Sequence, residues 1–126
     1  MRSNPTFLNL VLLNGEPEQK LRAARAAGFD QVEIWREDVE ATTAPLAQQL
    51  DLGFTNLQVL RDFTGAPVSE RLQKREELRQ FIHIAQSIGC DTIQAPATTR
   101  EDCVAERIDE DLRWMASEAA RYNMRI

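Results

Sequence analysis

Polar side chains alternate with apolar ones in four short segments, and their types suit the binding of a polyhydroxylated or anionic small molecule. Glu33 lies between Val32 and Ile34, where a carboxylate is costly to bury unless it is paired or functional. The other polar residues of the alternating set are Asn9, Asn56, Gln58, Thr92 and Gln94. Interior polar groups must be hydrogen-bonded or face water. We therefore expect a wet cavity for a small polar or anionic substrate, with the alternative that Asn56 and Thr92 lie at its bottom rim.

Four βα units position these side chains. Short segments rich in β-branched or aromatic residues predict strands at 6–13, 31–35, 54–59 and 91–95, each followed by a helical pattern. The predicted helix starts are marked by Pro17, Pro45, Ser69 and a capping box formed by Thr99 and Asp102. This alternation predicts an α/β fold with parallel strands.

The helix ends share one pattern, in which a residue that tolerates the left-handed conformation precedes the next strand. Gly28, Gly53 and Gly89 are the expected C-caps, and Asn123 takes the same place after the fourth helix. Residues 124–126 are then the start of a fifth strand. Eight such units close a barrel of about 250 residues. We therefore expect a single domain, residues 1–126, that forms the N-terminal half of a (β/α)8 TIM barrel and is truncated in strand five.

Alternation also predicts which side of the sheet meets the helices. The residues assigned to that side are Leu8, Leu10, Leu12, Val32, Ile34, Leu57, Val59 and Ile93. The polar set and Trp35 take the opposite side, which is the barrel interior. On the fourth helix, Ile108, Leu112, Met115 and Ala119 recur at helical spacing and are expected to face the core.

Composition and charge exclude several functions. The net charge is −5 and acids are interleaved with bases, which disfavours nucleic-acid binding. No apolar run approaches the roughly 20 residues that span a bilayer, and no signal peptide is recognisable, so a cytoplasmic protein is expected.

The single reactive side chains carry no catalytic pattern. Cys90 and Cys103 share no metal-binding or redox spacing and are expected to be free thiols. His83, the only histidine, lies on the third predicted helix, away from the strand ends.

Two stretches resemble a known family. The stretch KLRAARAAGFDQVEIWREDV resembles the first helix and second strand of xylose-isomerase-like TIM barrels, the sugar phosphate isomerase/epimerase superfamily. The stretch LQVLRDFTGAP is similar to a narrower group, the bacterial 3-dehydroshikimate dehydratases of this fold, although Thr64 stands where that group has Glu. The resemblance covers residues 9–126 and only the N-terminal half of the family's barrel.

The resemblance implies a substrate role for Arg61 and Glu33, because active sites of this fold lie at the carboxyl ends of strands. The planar fork of Arg61 suits a carboxylate, and a salt bridge to Asp62 is the alternative. The other substrate-binding residues that we predict are Asn9, Gln58, Gln94 and Phe63. Phe63 and Trp35 either wall the pocket or close the core, the core being the preferred place for Trp35. No catalytic residue is assigned.

A divalent metal, namely Mg, Mn, Co or Zn, is implied for the full-length parent enzyme. The family's metal ligands lie at the ends of strands five to eight, so we expect none to be bound by this chain alone. Asp38 and Asp62 are the nearest candidates by residue type, but both are expected to be loop or ion-pair residues.

Three hypotheses follow. In the first, the chain is part of a metal-dependent lyase or isomerase/epimerase and is inactive by itself. In the second, it is a half barrel without catalysis that forms a homo-oligomer through its open sheet edges. In the third, it is a small doubly wound binding or signalling domain, which the absence of a phosphate-binding glycine motif opposes.

Overall fold

A computed structural model describes residues 5–126, and its centre is a parallel sheet whose strands follow the order of the chain. The strands are β1 (Leu8–Asn9), β2 (Gln31–Trp35) and β3 (Gly53–Gln58), in the order β1-β2-β3. Two parallel bridges, Leu57 with Ile93 and Thr92 with Arg125, extend the sheet beyond β3. The predicted half barrel, with four βα units and the start of a fifth strand, is therefore confirmed. A doubly wound sheet would instead reverse its strand order.

Helices cover one face of the sheet. They are α1 (Pro17–Ala26), α2 (Thr43–Leu50), α3 (Arg71–Ser87) and α4 (Ile108–Ala120), and short 3-10 turns occupy Leu10–Leu12, Arg36–Asp38, Val68–Glu70 and Ala105–Arg107. The apolar side of the sheet is fully buried against them at Val32, Ile34, Leu57 and Ile93, as alternation predicts. No helix within residues 5–126 is both long and apolar enough to cross a membrane.

Three of the four residues predicted to cap helix C-termini in the left-handed conformation are confirmed. Gly28, Gly89 and Asn123 have φ angles of 92°, 71° and 57°, which lie in the left-handed region. The prediction for Gly53 was wrong, because Asp51 takes the left-handed conformation there with φ 55°. Gly53 is instead the first residue of β3, and its N–H donates to Asp30 O at 2.9 Å.

The first strand is much shorter than the predicted segment 6–13. The Asn9 side chain accepts a hydrogen bond from the Val11 N–H at 3.1 Å and caps the 3-10 turn Leu10–Leu12. Asn side chains compete with sheet hydrogen bonds in this way. As a result Leu12 does not face the helices, and it is 74% exposed.

The fourth unit differs most from the sequence prediction. Only Thr92 and Ile93 of the predicted strand 91–95 form bridges, since Pro96 has no N–H to donate and restricts the residue before it. The predicted capping box at Thr99 and Asp102 was also wrong. The Asp102 carboxylate binds the Arg100 guanidinium at 2.6 Å and α4 begins only at Ile108. On α4 itself Leu112 is 45% exposed, contrary to prediction.

Candidate functional site

A row of polar residues crosses the open face of the sheet. Asn9 is the partner of Glu33, and Glu33 is the partner of Asn56, so the three residues stand side by side on neighbouring strands. The amide nitrogen of Asn56 donates to Glu33 Oε1 at 2.8 Å. An irregularity in the register, one extra β3 residue between the partners of Val32 and Glu33, brings Asn56 opposite Glu33. The structure thus brings together polar groups that were predicted to share the interior.

Asn56 also has an acceptor that its neighbours leave unused. Because the Glu33 carboxylate accepts from Asn56, the Asn56 amide nitrogen must point at Glu33 and Oδ1 must point away. That Oδ1 is buried and has no hydrogen-bond partner among residues 5–126. Of this pair, the half-buried Glu33 carboxylate is therefore the acceptor that suits hydroxyl donors.

Towards the carboxyl ends of the strands, Trp35 joins this row to Arg61. The Trp35 indole N–H donates to Asn9 Oδ1 at 3.1 Å. The Arg61 guanidinium carbon lies 5.4 Å from the centroid of the Trp35 ring, which is a cation–π arrangement. Within residues 5–126 Arg61 forms no salt bridge, so the predicted alternative, a pair with Asp62, does not occur. The guanidinium N–H groups stay available to an anion.

A pocket of about 200 Å³ lies beside Arg61. It is lined by Arg61, Asp62, Pro96, Ala97 and Thr99. The Thr98 hydroxyl donates to Asp62 Oδ1 at 2.9 Å, which joins the third and fourth βα loops at this edge. Asp38 and Asp62 are loop and ion-pair residues, as expected, because Asp62 accepts from Thr98 and Asp38 forms a salt bridge with Lys20 at 2.9 Å.

The two aromatic candidates exchange their expected places. Phe63 is 4% exposed and stacks on Trp114 of α4, with ring centroids 6.0 Å apart, so it closes the core rather than walling the pocket. Trp35 was expected in the core but stands beneath Arg61.

The two predicted glutamines differ in exposure. Gln58 is the β3 partner of Trp35 and is buried. Gln94 is exposed, and its backbone O accepts from the Leu60 N–H at 3.0 Å.

The remaining reactive side chains lie away from this face. His83 is exposed on α3, with its ring edge towards Tyr122 at 6.3 Å. Cys90 and Cys103 are free thiols, and burial raises the pKa of the Cys90 thiol. In the part of the chain that the structure describes, no three His, Cys, Asp or Glu side chains gather into a possible metal site. These residues by themselves therefore do not fit a divalent metal.

Two side chains that bind the backbone of the loop bearing Arg61 were missed from the sequence. Lys74 Nζ donates to the backbone O of Arg61 at 2.8 Å. Asp111, buried at the start of α4, accepts from the Gly65 N–H at 2.8 Å. In the sequence Asp111 is only the third acid of a helical first turn, which by itself indicates interaction with the helix dipole.

Two curated relatives match almost the whole chain, while no family model matches it. The chain is 29% identical over 125 residues to a 3-dehydroshikimate dehydratase of Pseudomonas putida and 30% identical over 124 residues to one of Pseudomonas aeruginosa. Each alignment covers 92% of this chain and 20% of the relative. The chain thus spans about one-fifth of the length of the curated relatives that it matches.

Solved structures give the same picture of the fold. A xylose isomerase-like TIM barrel/4-hydroxyphenylpyruvate dioxygenase fusion protein superposes with a TM-score of 0.88 at 26% identity, covering 95% of this chain and 21% of that one. The IOLI protein with a bound zinc atom superposes with a TM-score of 0.78 at 19% identity, covering 94% and 48%. The chain therefore has the fold of the N-terminal half of a xylose isomerase-like TIM barrel and is similar in sequence to 3-dehydroshikimate dehydratases.

Proposed function

We propose that this chain forms the substrate-orienting half of a metal-dependent TIM-barrel enzyme, a 3-dehydroshikimate dehydratase-type lyase or a sugar isomerase/epimerase. The observation that supports this most directly is the guanidinium of Arg61 above Trp35, which forms no salt bridge within residues 5–126 and lies on the same open face as the Glu33–Asn56 pair. The sequence similarity to two dehydratases favours the lyase.

The geometry suits a ring that bears a carboxylate and hydroxyl groups. Arg61 offers parallel N–H donors to the carboxylate. Glu33 offers acceptors to the hydroxyl groups, and the Asn56 amide orients its carboxylate. Glu33 and Trp35 are two residues apart on β2, which separates them by roughly 7 Å along the strand. A six-membered ring with substituents at opposite ends spans a gap of this size.

The proposal leaves the reacting chemistry to residues outside the chain. The divalent metal, Mg, Mn, Co or Zn, would be held there, because the described residues offer no ligand cluster. This half binds the carboxylate at Arg61 and the hydroxyl groups at Glu33, and it holds the ring in one orientation. The chain alone is expected to be inactive.

The first test is an activity assay of the purified 126-residue chain. We expect no protocatechuate from 3-dehydroshikimate with Mg²⁺, Mn²⁺ or Co²⁺. Turnover by this chain would show that the assignment of the metal and the acid/base groups to other residues is wrong. Co-expression with the C-terminal half of the matching barrel of the P. putida relative is expected to restore turnover.

The second test measures substrate binding directly. Arg61→Ala is expected to weaken the binding of 3-dehydroshikimate by about ten- to hundredfold, the worth of a hydrogen bond to a charged group. Titration followed by NMR gives the dissociation constant. Arg113→Ala, at an exposed position on α4, is the matched control and should bind like the parent chain. Equal affinities of the two variants would remove Arg61 from the site.

A second candidate function is self-association, and the edge of β1 supports it. Within residues 5–126 β1 pairs only with β2, and Phe7, Val11 and Leu12 beside it are 51%, 49% and 74% exposed. Unpaired edges flanked by apolar groups favour pairing with another copy. Light scattering should show a dimer that Leu12→Lys disrupts and that Leu72→Lys, on the exposed side of α3, leaves intact. A strict monomer at high concentration would exclude this candidate.

A further inference from the structure

The loop that bears Arg61 is fixed at its far end through both backbone groups of Gly65. The Gly65 N–H donates to Asp111 Oδ2 at 2.8 Å, and the Gly65 carbonyl accepts from the Val104 N–H at 2.8 Å. One bond comes from α4 and the other from the segment that precedes α4. This short loop is therefore tied to the fourth βα unit at a point four residues beyond Arg61.

Asp111 also joins this loop to α3. Its second oxygen, Oδ1, accepts from the Arg71 guanidinium at 3.0 Å, and its side chain is only 5% exposed. Arg71 is the first residue of α3. A buried carboxylate with both oxygens engaged is strongly held, because removing either partner leaves a desolvated charge without compensation.

The near end of the loop is held as well. Lys74 Nζ donates to the Arg61 carbonyl, and Thr98 donates to the Asp62 carboxylate. Lys74 thus holds the Arg61 backbone directly and Thr98 holds the side chain of the next residue, while the exposed Arg61 guanidinium rests on Trp35. A guanidinium on a fixed backbone loses less conformational freedom when it binds an anion.

We propose that Asp111 is a positioning residue that sets where the Arg61 guanidinium stands on the open face. The proposed function gives this arrangement its use, since a carboxylate ligand would meet a preorganised Arg61. Asp111 reaches no substrate itself. It acts through the Gly65 backbone and through Arg71.

Asp111→Asn tests the proposal with little change of shape. An Asn side chain has one acceptor oxygen, so either the Gly65 N–H loses its acceptor or the Arg71 guanidinium keeps only its contact with Glu110. The first readout is the indole N–H resonance of Trp35, assigned by its absence in Trp35→Phe. We expect Asp111→Asn to move this resonance towards its position in Arg61→Ala. Asp109→Asn, an exposed acid of the same helical turn, should leave it unchanged.

The second readout is the affinity for 3-dehydroshikimate. Asp111→Asn should weaken binding by about tenfold in the parent chain and have no further effect in Arg61→Ala, since coupled residues are not additive. If Asp111→Asn fails to fold, Arg71→Lys replaces it, because lysine keeps the charge but not the geometry of the contact.

The outcomes separate the two proposals. An unmoved Trp35 resonance in folded Asp111→Asn or Arg71→Lys overturns the positioning role, whatever the ligand result. Equal losses of affinity in the presence and absence of Arg61 overturn it too. A moved resonance together with no binding of 3-dehydroshikimate supports the positioning role and counts against the proposed function.

Discussion

Replacement of Gly65 by alanine tests the packing of the third βα loop against the fourth. Gly65 has φ 69°, a conformation that costs an L-residue roughly 1–2 kcal/mol. A Cβ at Gly65 would come 2.4 Å from Cys103 Sγ and 3.0 Å from Val104 O. Overpacking of a buried site costs about 1–3 kcal/mol more. We therefore expect Gly65→Ala to lower the free energy of unfolding by about 2–5 kcal/mol.

Gly89 offers a matched control for the conformational part of this cost. Its φ of 71° is almost the same as that of Gly65, but a Cβ there would meet nothing within 4 Å. Gly89→Ala should therefore lose only about 1–2 kcal/mol. Urea unfolding followed by circular dichroism gives both values.

Cys103 isolates the steric part. Cys103→Ala removes the sulfur that the new methyl group would meet but not the contact with Val104 O, so, relative to Cys103→Ala alone, Gly65→Ala should lose part of its steric cost of about 1–3 kcal/mol. The steric explanation is refuted if Gly65→Ala and Gly89→Ala lower the free energy of unfolding by the same amount. It is refuted too if Gly65→Ala lowers that free energy as much in the presence of Cys103→Ala as in its absence.

Two further predictions concern the core and a buried acid. Leu57→Ala, at a fully buried position of β3, should cost about 2–5 kcal/mol in urea unfolding, while Leu72→Ala on the exposed side of α3 stays within about 0.5 kcal/mol; similar losses would contradict the packing described. Burial is the largest single influence on the Glu118 carboxyl and raises its pKa, but hydrogen bonds from Arg79 and Arg121 outweigh it and leave the pKa below the ordinary value. Glu118 thus stabilises the fold above its unfolded-state pKa of about 4.3, and the stability advantage over Glu118→Gln should fade as acidification passes the lower folded-state pKa; an advantage that grows in acid would disprove this.

The repeating βα pattern could be predicted because its signals are local. A residue that tolerates positive φ marks a helix end where it directly follows a helical pattern, and Gly28, Gly89 and Asn123 were found on that basis. At the end of α2 two such residues lie close together, and the sequence does not show whether Asp51 or Gly53 takes the left-handed conformation. Pairing of Gly53 with β2 settles the choice in favour of Asp51.

The candidate site was harder to predict because its groups meet only in the folded chain. Alternation placed Glu33 and Asn56 on one face correctly, although the register irregularity that brings them side by side could not be read from the sequence. Phe63 lies in the core because it stacks on Trp114 of a distant helix, and Trp35 contacts Arg61 of another βα loop, so both places depend on contacts across the fold. The role of Asp111 depends in the same way on a contact across the fold.

The order of the sheet also bears on how the chain acquires its structure. Each strand pairs with the strand that was synthesised just before it, from Leu8 with Val32 to Thr92 with Arg125. Contacts between consecutive units close short loops, which lowers the entropic barrier to folding relative to pairings between distant segments. A chain of this kind can acquire its sheet one unit at a time as it leaves the ribosome, and each completed strand serves as the template for the next.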